Sequence, residues 1–287
     1  MITENFILLN TDDNETISLW KVYDKAQSGN ISIFLTHGTF SDKKICLGIA
    51  KYLSKKGYVC YILEWRNHGK SIKTNNNFNF ETIALYDFKT TFTYLFEVQK
   101  IKKIHCITHS GGGIALTMFL IKNSIYKNRI NSITFFACQV FGATMPKLNY
   151  LKTIISKLFT YLLGYIPAKK INLGSHNENY YMMKQWFDWN LKKNFLSTNK
   201  EFDYKENMKN IKIPIYSISA KGDKFIAPSI GCELFLKSFN NSENRFKEFS
   251  LENGHLENYN HSRIIMSKNS AKEIWPSVFK WIKKNER

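Results

Sequence analysis

The segment Thr108-His109-Ser110-Gly111-Gly112-Gly113 sets a hydroxyl between an apolar run, KIHCITH (103–109), and a helical stretch that begins at Gly111. A sharp strand-to-helix turn needs small residues two positions before and after its apex, because larger side chains would collide there. Thr108 and Gly112 hold those positions. The apex residue is then forced outward over a helix N-terminus, where free N–H groups and the helix dipole favour developing negative charge. Ser110 in that place is poised as a nucleophile, with the N–H of Gly111 receiving the oxyanion. The plainer alternative is a glycine-rich helix start that only packs closely or binds a phosphate. Upstream, His37-Gly38-Thr39 ends another apolar run, and its turn can lend a second N–H, that of Thr39, to the same oxyanion.

These groups need a scaffold to bring them together, and hydrophobic period supplies its outline. ISLWKVY (17–23), ISIFLTH (31–37), YVCYILEW (58–65), KIHCITH (103–109) and SITFFACQV (132–140) read as strands. The nearly continuous apolar runs among them suit parallel strands covered on both faces. Helical spacing fills the intervals: from Asp42 to Gly57, from about Glu81 to Gln99, and from Gly111 to about Asn123. Three strand–helix–strand units in a row predict a parallel sheet with right-handed crossovers, hence an α/β fold. The alternation breaks over 145–208, where the pattern is helical and no strand is expected. It resumes with IPIYSISA (213–220), a helix near 229–239, RFKEFSL (245–251) and a last helix ending at Trp281–Lys284. In that last helix Ser270 and Glu273 stand at capping-box spacing, and Pro276 predicts a kink or a later start. The expected organisation is therefore a core of 1–144 and 209–287 with a helical cap insertion at 145–208.

Composition narrows the class. With 287 residues, 44% hydrophobic and 22% charged, disorder and coiled coil are excluded. No stretch approaches the roughly 20 apolar residues of a membrane span. The N-terminus lacks the basic-then-apolar pattern of a secretory signal, so a cytoplasmic protein is expected. Five cysteines without CxxC spacing argue against a disulfide framework or zinc site. Cys60, Cys106 and Cys138 fall in strand-like runs as buried thiols. The net charge of +18 comes mostly from Lys spread along the chain beside abundant Asn and Ile. Without Arg clusters or a recognisable module, no nucleic-acid role is expected; weak attraction to an anionic membrane surface is. The stretch Lys152–Ile166 is amphipathic enough for such contact, with packing on the sheet domain its expected use. No metal-ligand spacing or dinucleotide fingerprint occurs, so no cofactor is expected.

Glu64-Trp65-Arg66-Asn67-His68-Gly69-Lys70-Ser71 ends the third predicted strand. With this segment, the His-Gly turn and the elbow at Ser110, the chain resembles the α/β-hydrolase superfamily over nearly its whole length. Members carry a His-Gly turn, a D-x-R-G-H-G-x-S loop and a G-x-S-x-G elbow in that order. Here Thr108 replaces the first Gly of the elbow, Glu64 the Asp and Asn67 the first Gly of the loop. Asn tolerates a left-handed backbone, so the turn can survive.

The resemblance implies a mostly parallel sheet flanked by helices, with a helical cap inserted after the sixth strand. It also implies a triad in the order Ser, acid, His. Asp223, after IPIYSISA and before Pro228, matches the acid loop. His255 and His261 both follow RFKEFSL. Gly254-His255 looks like the common Gly-His ending, whereas the Asn260-His261 step, with an apolar run and a helix beyond it, is similar to hydrolases that include acid lipases. His261 is taken as the base, with His255 the alternative. His105 reads as a core histidine, and His68 and Arg66 as supports of their own loop. Tyr180, Tyr181, Trp186, Phe187 and Trp189 are candidates for a substrate wall or for the cap's own core.

In function, the resemblance implies a serine hydrolase acting on a small-molecule acyl substrate, an ester or thioester with a lipophilic chain. A Ser nucleophile argues against the dehalogenase and epoxide hydrolase activities, which use Asp in this fold. The same triad could serve an acyltransferase or a C–C hydrolase, and a non-catalytic binding member is the alternative of a different class.

Overall fold

In a computed structural model, residues 1–27 and 29–286 are described. Among the described residues ten strands are formed: β1 (Ile2–Asn10), β2 (Thr16–Asp24), β3 (Ser32–Thr36), β4 (Val59–Glu64), β5 (Ile104–His109), β6 (Ile130–Phe136), β7 (Tyr165–Ile166), β8 (Glu178–Asn179), β9 (Ile215–Ala220) and β10 (Arg245–Phe249). Eight of them make one sheet in the order β1-β2-β4-β3-β5-β6-β9-β10. From β4 to β10 every pairing is parallel, while β1 and β2 join antiparallel at one edge.

The buried runs have the cause their composition suggests. In β3, Phe34 points into one core layer with Phe88, Phe92 and Phe119, while Ile33 and Leu35 point into the other with Ile49, Leu53, Ile274 and Val278. A strand covered on both faces must be apolar at successive positions, which hides its period of two. The helices behind these layers include Lys44–Ser54, a continuous helical segment over 80–98, Gly111–Lys122, Ser229–Lys237 and Lys268–Lys284.

The structure adds elements that the sequence did not signal and corrects some that it did. The N-terminal segment forms β1, a nine-residue edge strand on β2. Its Phe6, Ile7 and Leu8 stay exposed, so it lacks the alternation that marks a half-buried strand. The segment over 80–98 is wound partly as π-helix, at Ile83–Phe88 and Tyr94–Val98. The last helix runs unbroken through Pro276, and its N-cap is Ser267, whose side chain accepts from the Ser270 N–H. Glu273 does not close a capping box; it accepts from the Leu256 N–H and the Tyr259 hydroxyl instead. Between β6 and β9 the chain is not purely helical: β7 pairs with β8, and Leu196 bridges Asp203.

The helices of that segment are Lys147–Leu163 and Tyr180–Lys192. The first does not pack its apolar face on the sheet domain. Its buried residues are Asn149, Thr153 and Thr160, and Asn149 Nδ2 donates to the carbonyls of Ala143 and Lys224. Its polar side faces inward.

Candidate active site

Ser110 stands between β5 and the helix Gly111–Lys122 with φ 52 and ψ −124, a strained backbone for a residue with a side chain. The elbow is held by its neighbours. The Ser110 N–H donates to the Phe136 carbonyl (2.9 Å) and its carbonyl accepts from Gly113 (3.0 Å). Close approach explains the small residues: a Cβ on Gly38 would lie 2.6 Å from the Ser110 Cβ, and one on Gly112 would lie 2.5 Å from the His37 carbonyl oxygen. Only backbone this bare lets the His37-Gly38-Thr39 turn lie against the helix start. Thr108, larger than the Gly of the resemblance, is buried with its hydroxyl on the Cys138 thiol (3.6 Å).

The turn is fixed from two sides. The Trp65 N–H donates to His37 Nε2 (3.2 Å), so His37 Nδ1 carries the proton that meets the Gly38 carbonyl (2.7 Å). Burial, and next the charge of His68, hold His37 well below its ordinary value, keeping it neutral. After Thr39, Phe40 takes a left-handed φ of 65. Its N–H donates to Glu178 Oε1 (3.0 Å), and its carbonyl accepts from His176 (3.1 Å). Glu178 comes from β8, so the segment that roofs the site also holds the turn beneath it. The same Oε1 meets His68 Nε2 at 2.9 Å, both side chains buried. Burial pulls the His68 pKa down, but the Glu178 carboxylate raises it above the usual histidine value.

The loop after β4 keeps its substitutions satisfied. Glu64 accepts from Ser18 Oγ, Trp20 Nε1 and the backbone N–H groups of Lys43 and Lys70. Asn67 has φ 63, the left-handed backbone the sequence requires of it. Arg66 reaches beyond its own loop: its guanidinium grips Asp87 in the helical segment 80–98 and Asp13 in the β1–β2 turn.

Asp223 follows β9. Its carboxylate accepts from the N–H groups of Ile226 and Ala227 (both 3.1 Å), and Oδ2 is hydrogen-bonded to His261 Nδ1. Burial would raise this carboxyl, but the charge and hydrogen bond of His261, with the two N–H groups, hold it below the usual range. His255 is elsewhere: its Nδ1 lies on the backbone of Ser250 and its ring against Phe249, 4.4 Å between centroids.

Sequence reasoning assigned no task to His109. Its ring packs on His261 at 4.7 Å, and its Nε2 meets the His261 carbonyl oxygen at 2.8 Å. Burial pushes its pKa down to about 3, so it is neutral and donates from Nε2. This prop joins residues 152 positions apart, and no local pattern could have signalled it. His105, by contrast, sits in the core on Ser132 Oγ (2.8 Å).

Ser110, Gly111, Thr39, Asp223 and His261 line one cavity of about 860 Å³, a size within the range of small-molecule sites. Its walls are mostly apolar, with Phe80, Ile114, Leu173, Met183, Trp186 and Phe187 among them. Of the five aromatics singled out from sequence, Trp186 and Phe187 face the cavity. Trp189 is buried against Phe80 and Phe195, Tyr180 lies between Tyr161 and Tyr181, and Tyr181 is exposed. Among the described residues no His, Cys, Asp or Glu cluster could hold a metal ion, and no helix is long and apolar enough to cross a membrane.

A family model described as alpha/beta hydrolase fold matches residues 31–174. Among solved structures, the chain is similar to an esterase of Pyrococcus furiosus (TM-score 0.68, 16% identity, covering 100% of this chain and 92% of that one). An esterase from Exiguobacterium antarcticum aligns with TM-score 0.66 at 13% identity, over 96% and 98% of the two chains. A thermophilic esterase from Thermogutta terrifontis, solved with malate bound, aligns with TM-score 0.63 at 12% identity, over 99% and 100%. No curated protein sequence matches the chain.

Proposed function

The chain belongs to the α/β-hydrolase fold family, and on that premise we propose that it is a serine hydrolase cleaving an ester or thioester of a lipophilic acyl group. The observation that carries this reading is convergence: a serine on a strained elbow, a histidine bonded to a buried carboxylate, and the Thr39–Gly111 turn pair border one apolar-walled cavity.

Ser110 Oγ attacks the acyl carbonyl carbon while His261 Nε2 takes its proton; Asp223 holds Nδ1 protonated and steadies the imidazolium. The carbonyl oxygen becomes an oxyanion between the N–H groups of Thr39 and Gly111, each such donor contributing about 2.7–4 kcal/mol. Collapse of the tetrahedral intermediate expels the alcohol or thiol, which receives the proton from His261 and leaves Ser110 acylated. Water, deprotonated by His261, then attacks the acyl group; the carboxylic acid leaves and Ser110 regains its proton. The names of the structural neighbours, esterases all three, agree with this class.

Trp186, Phe187 and Met183 in the cavity wall favour an acyl chain over a peptide side chain. Initial rates on p-nitrophenyl esters of increasing acyl length test the reading. The expected result is kcat/KM rising from acetyl to medium-length chains, with a burst of p-nitrophenol if deacylation is slow. Absence of turnover on every ester and thioester by folded protein removes the proposal.

A further inference from the structure

The helix Lys147–Leu163 is built inside out for a helix packed on a protein. Asn149, Thr153 and Thr160 are buried, while Leu158 (58%), Phe159 (61%), Tyr161 (64%) and Leu162 (69%) stand in solvent. Leu148, Leu151, Ile154, Ile155 and Leu163 are exposed with them. A soluble surface rarely leaves so continuous an apolar face uncovered without a partner for it.

Charge identifies the partner. From Met145 to Asn177 the chain carries Lys147, Lys152, Lys157, Lys169 and Lys170 and no Asp or Glu. Lys157 is paired with Asp188 of the neighbouring helix, and the other four are exposed: Lys147 and Lys152 on the helix itself, Lys169 and Lys170 next in sequence to Ile171, which lines the same cavity as Ile155 and Phe159. A second copy of the chain seated here would set lysines against lysines with no carboxylate of this stretch to meet them. An anionic lipid surface meets both features at once: acyl chains accept the apolar side chains, and headgroups accept the ammonium rim.

Position adds a third observation. Ile155, Phe159, Leu163 and Ile171 are exposed and also line the cavity that holds Ser110. The mouth of the site therefore opens within the apolar face.

We propose that the helix Lys147–Leu163 docks the protein on anionic bilayer surfaces, with the cavity mouth against the membrane, so that an amphiphilic acyl substrate enters from the lipid. Docking stands on the helix alone, whereas substrate entry rests on the hydrolase reading. The test separates them by measuring binding with Ser110→Ala protein, which needs no activity. Flotation with phosphatidylcholine vesicles, with and without roughly one-third phosphatidylglycerol, should show binding that rises with anionic lipid and falls with salt. A Leu151→Asp/Leu158→Asp/Leu162→Asp variant touches the exposed face without touching the cavity. It should lose at least about tenfold of the binding while keeping its thermal melting and, on the active background, its rate on a short soluble ester. Lys169→Glu/Lys170→Glu should remove the preference for anionic lipid. Failure of the Ser110→Ala protein to float with either vesicle overturns the proposal. So does a dimer in sedimentation velocity that the triple variant dissociates, since a second copy then covers this face.

Discussion

The helices Gly111–Lys122 and Lys147–Leu163 are both rich in large apolar residues, yet the fold uses them in opposite ways. The first is buried at every residue from Gly111 to Leu120, and its start carries Ser110. The second buries three polar residues and leaves its apolar ones outside. A helix enclosed on all sides has one place to be, so Ser110, the proposed nucleophile at its start, is held to the close tolerances that the proposed acyl transfer would require. A helix held by a polar edge leaves its other face free for a surface or a substrate.

The largest effects that would break this contrast concern chemistry. Ser110→Ala and His261→Ala should each lower kcat by about 10⁴-fold or more, whereas His255→Ala should stay within a few-fold. Steady-state kinetics on one ester decides it, and equal losses at both histidines would move the base off His261. Packing comes next. Leu116→Ala, in the enclosed helix, should cost about 2–5 kcal/mol by denaturant unfolding, while Leu158→Ala should stay within about 0.5 kcal/mol. Similar values at the two sites would mean that the outer helix is covered after all.

A smaller effect depends on pH. Glu178 raises the pKa of His68 in the folded protein, so their pair stabilises the fold fully below the ordinary histidine value. That contribution fades as pH rises through the raised value. His68→Gln should therefore destabilise more at about pH 5.5 than at about pH 9. A pH-independent difference in melting temperature would show that the pair contributes no charge.

Much of the core was legible because its signals are local. Small residues at a tight turn, apolar runs ended by His-Gly or Gly-Asp, and a left-handed Asn67 are all visible in short windows. β1 was not, because an exposed edge strand needs no alternation. Periodicity showed that Lys152–Ile166 is amphipathic but not which way its apolar face points in the helix Lys147–Leu163, since that is decided by contacts such as Asn149 with the Lys224 carbonyl. Glu178 on the Phe40 turn and His109 beneath His261 join distant residues, and distance in sequence hides them in the same way.

The most direct test of the central claim is reaction of the folded protein with a fluorophosphonate, with the adduct located by peptide mass spectrometry. A single adduct on Ser110, absent from Ser110→Ala and strongly slowed in His261→Ala but not in His255→Ala, is the predicted result. An unlabelled wild-type protein, or an adduct on another residue, would contradict the account.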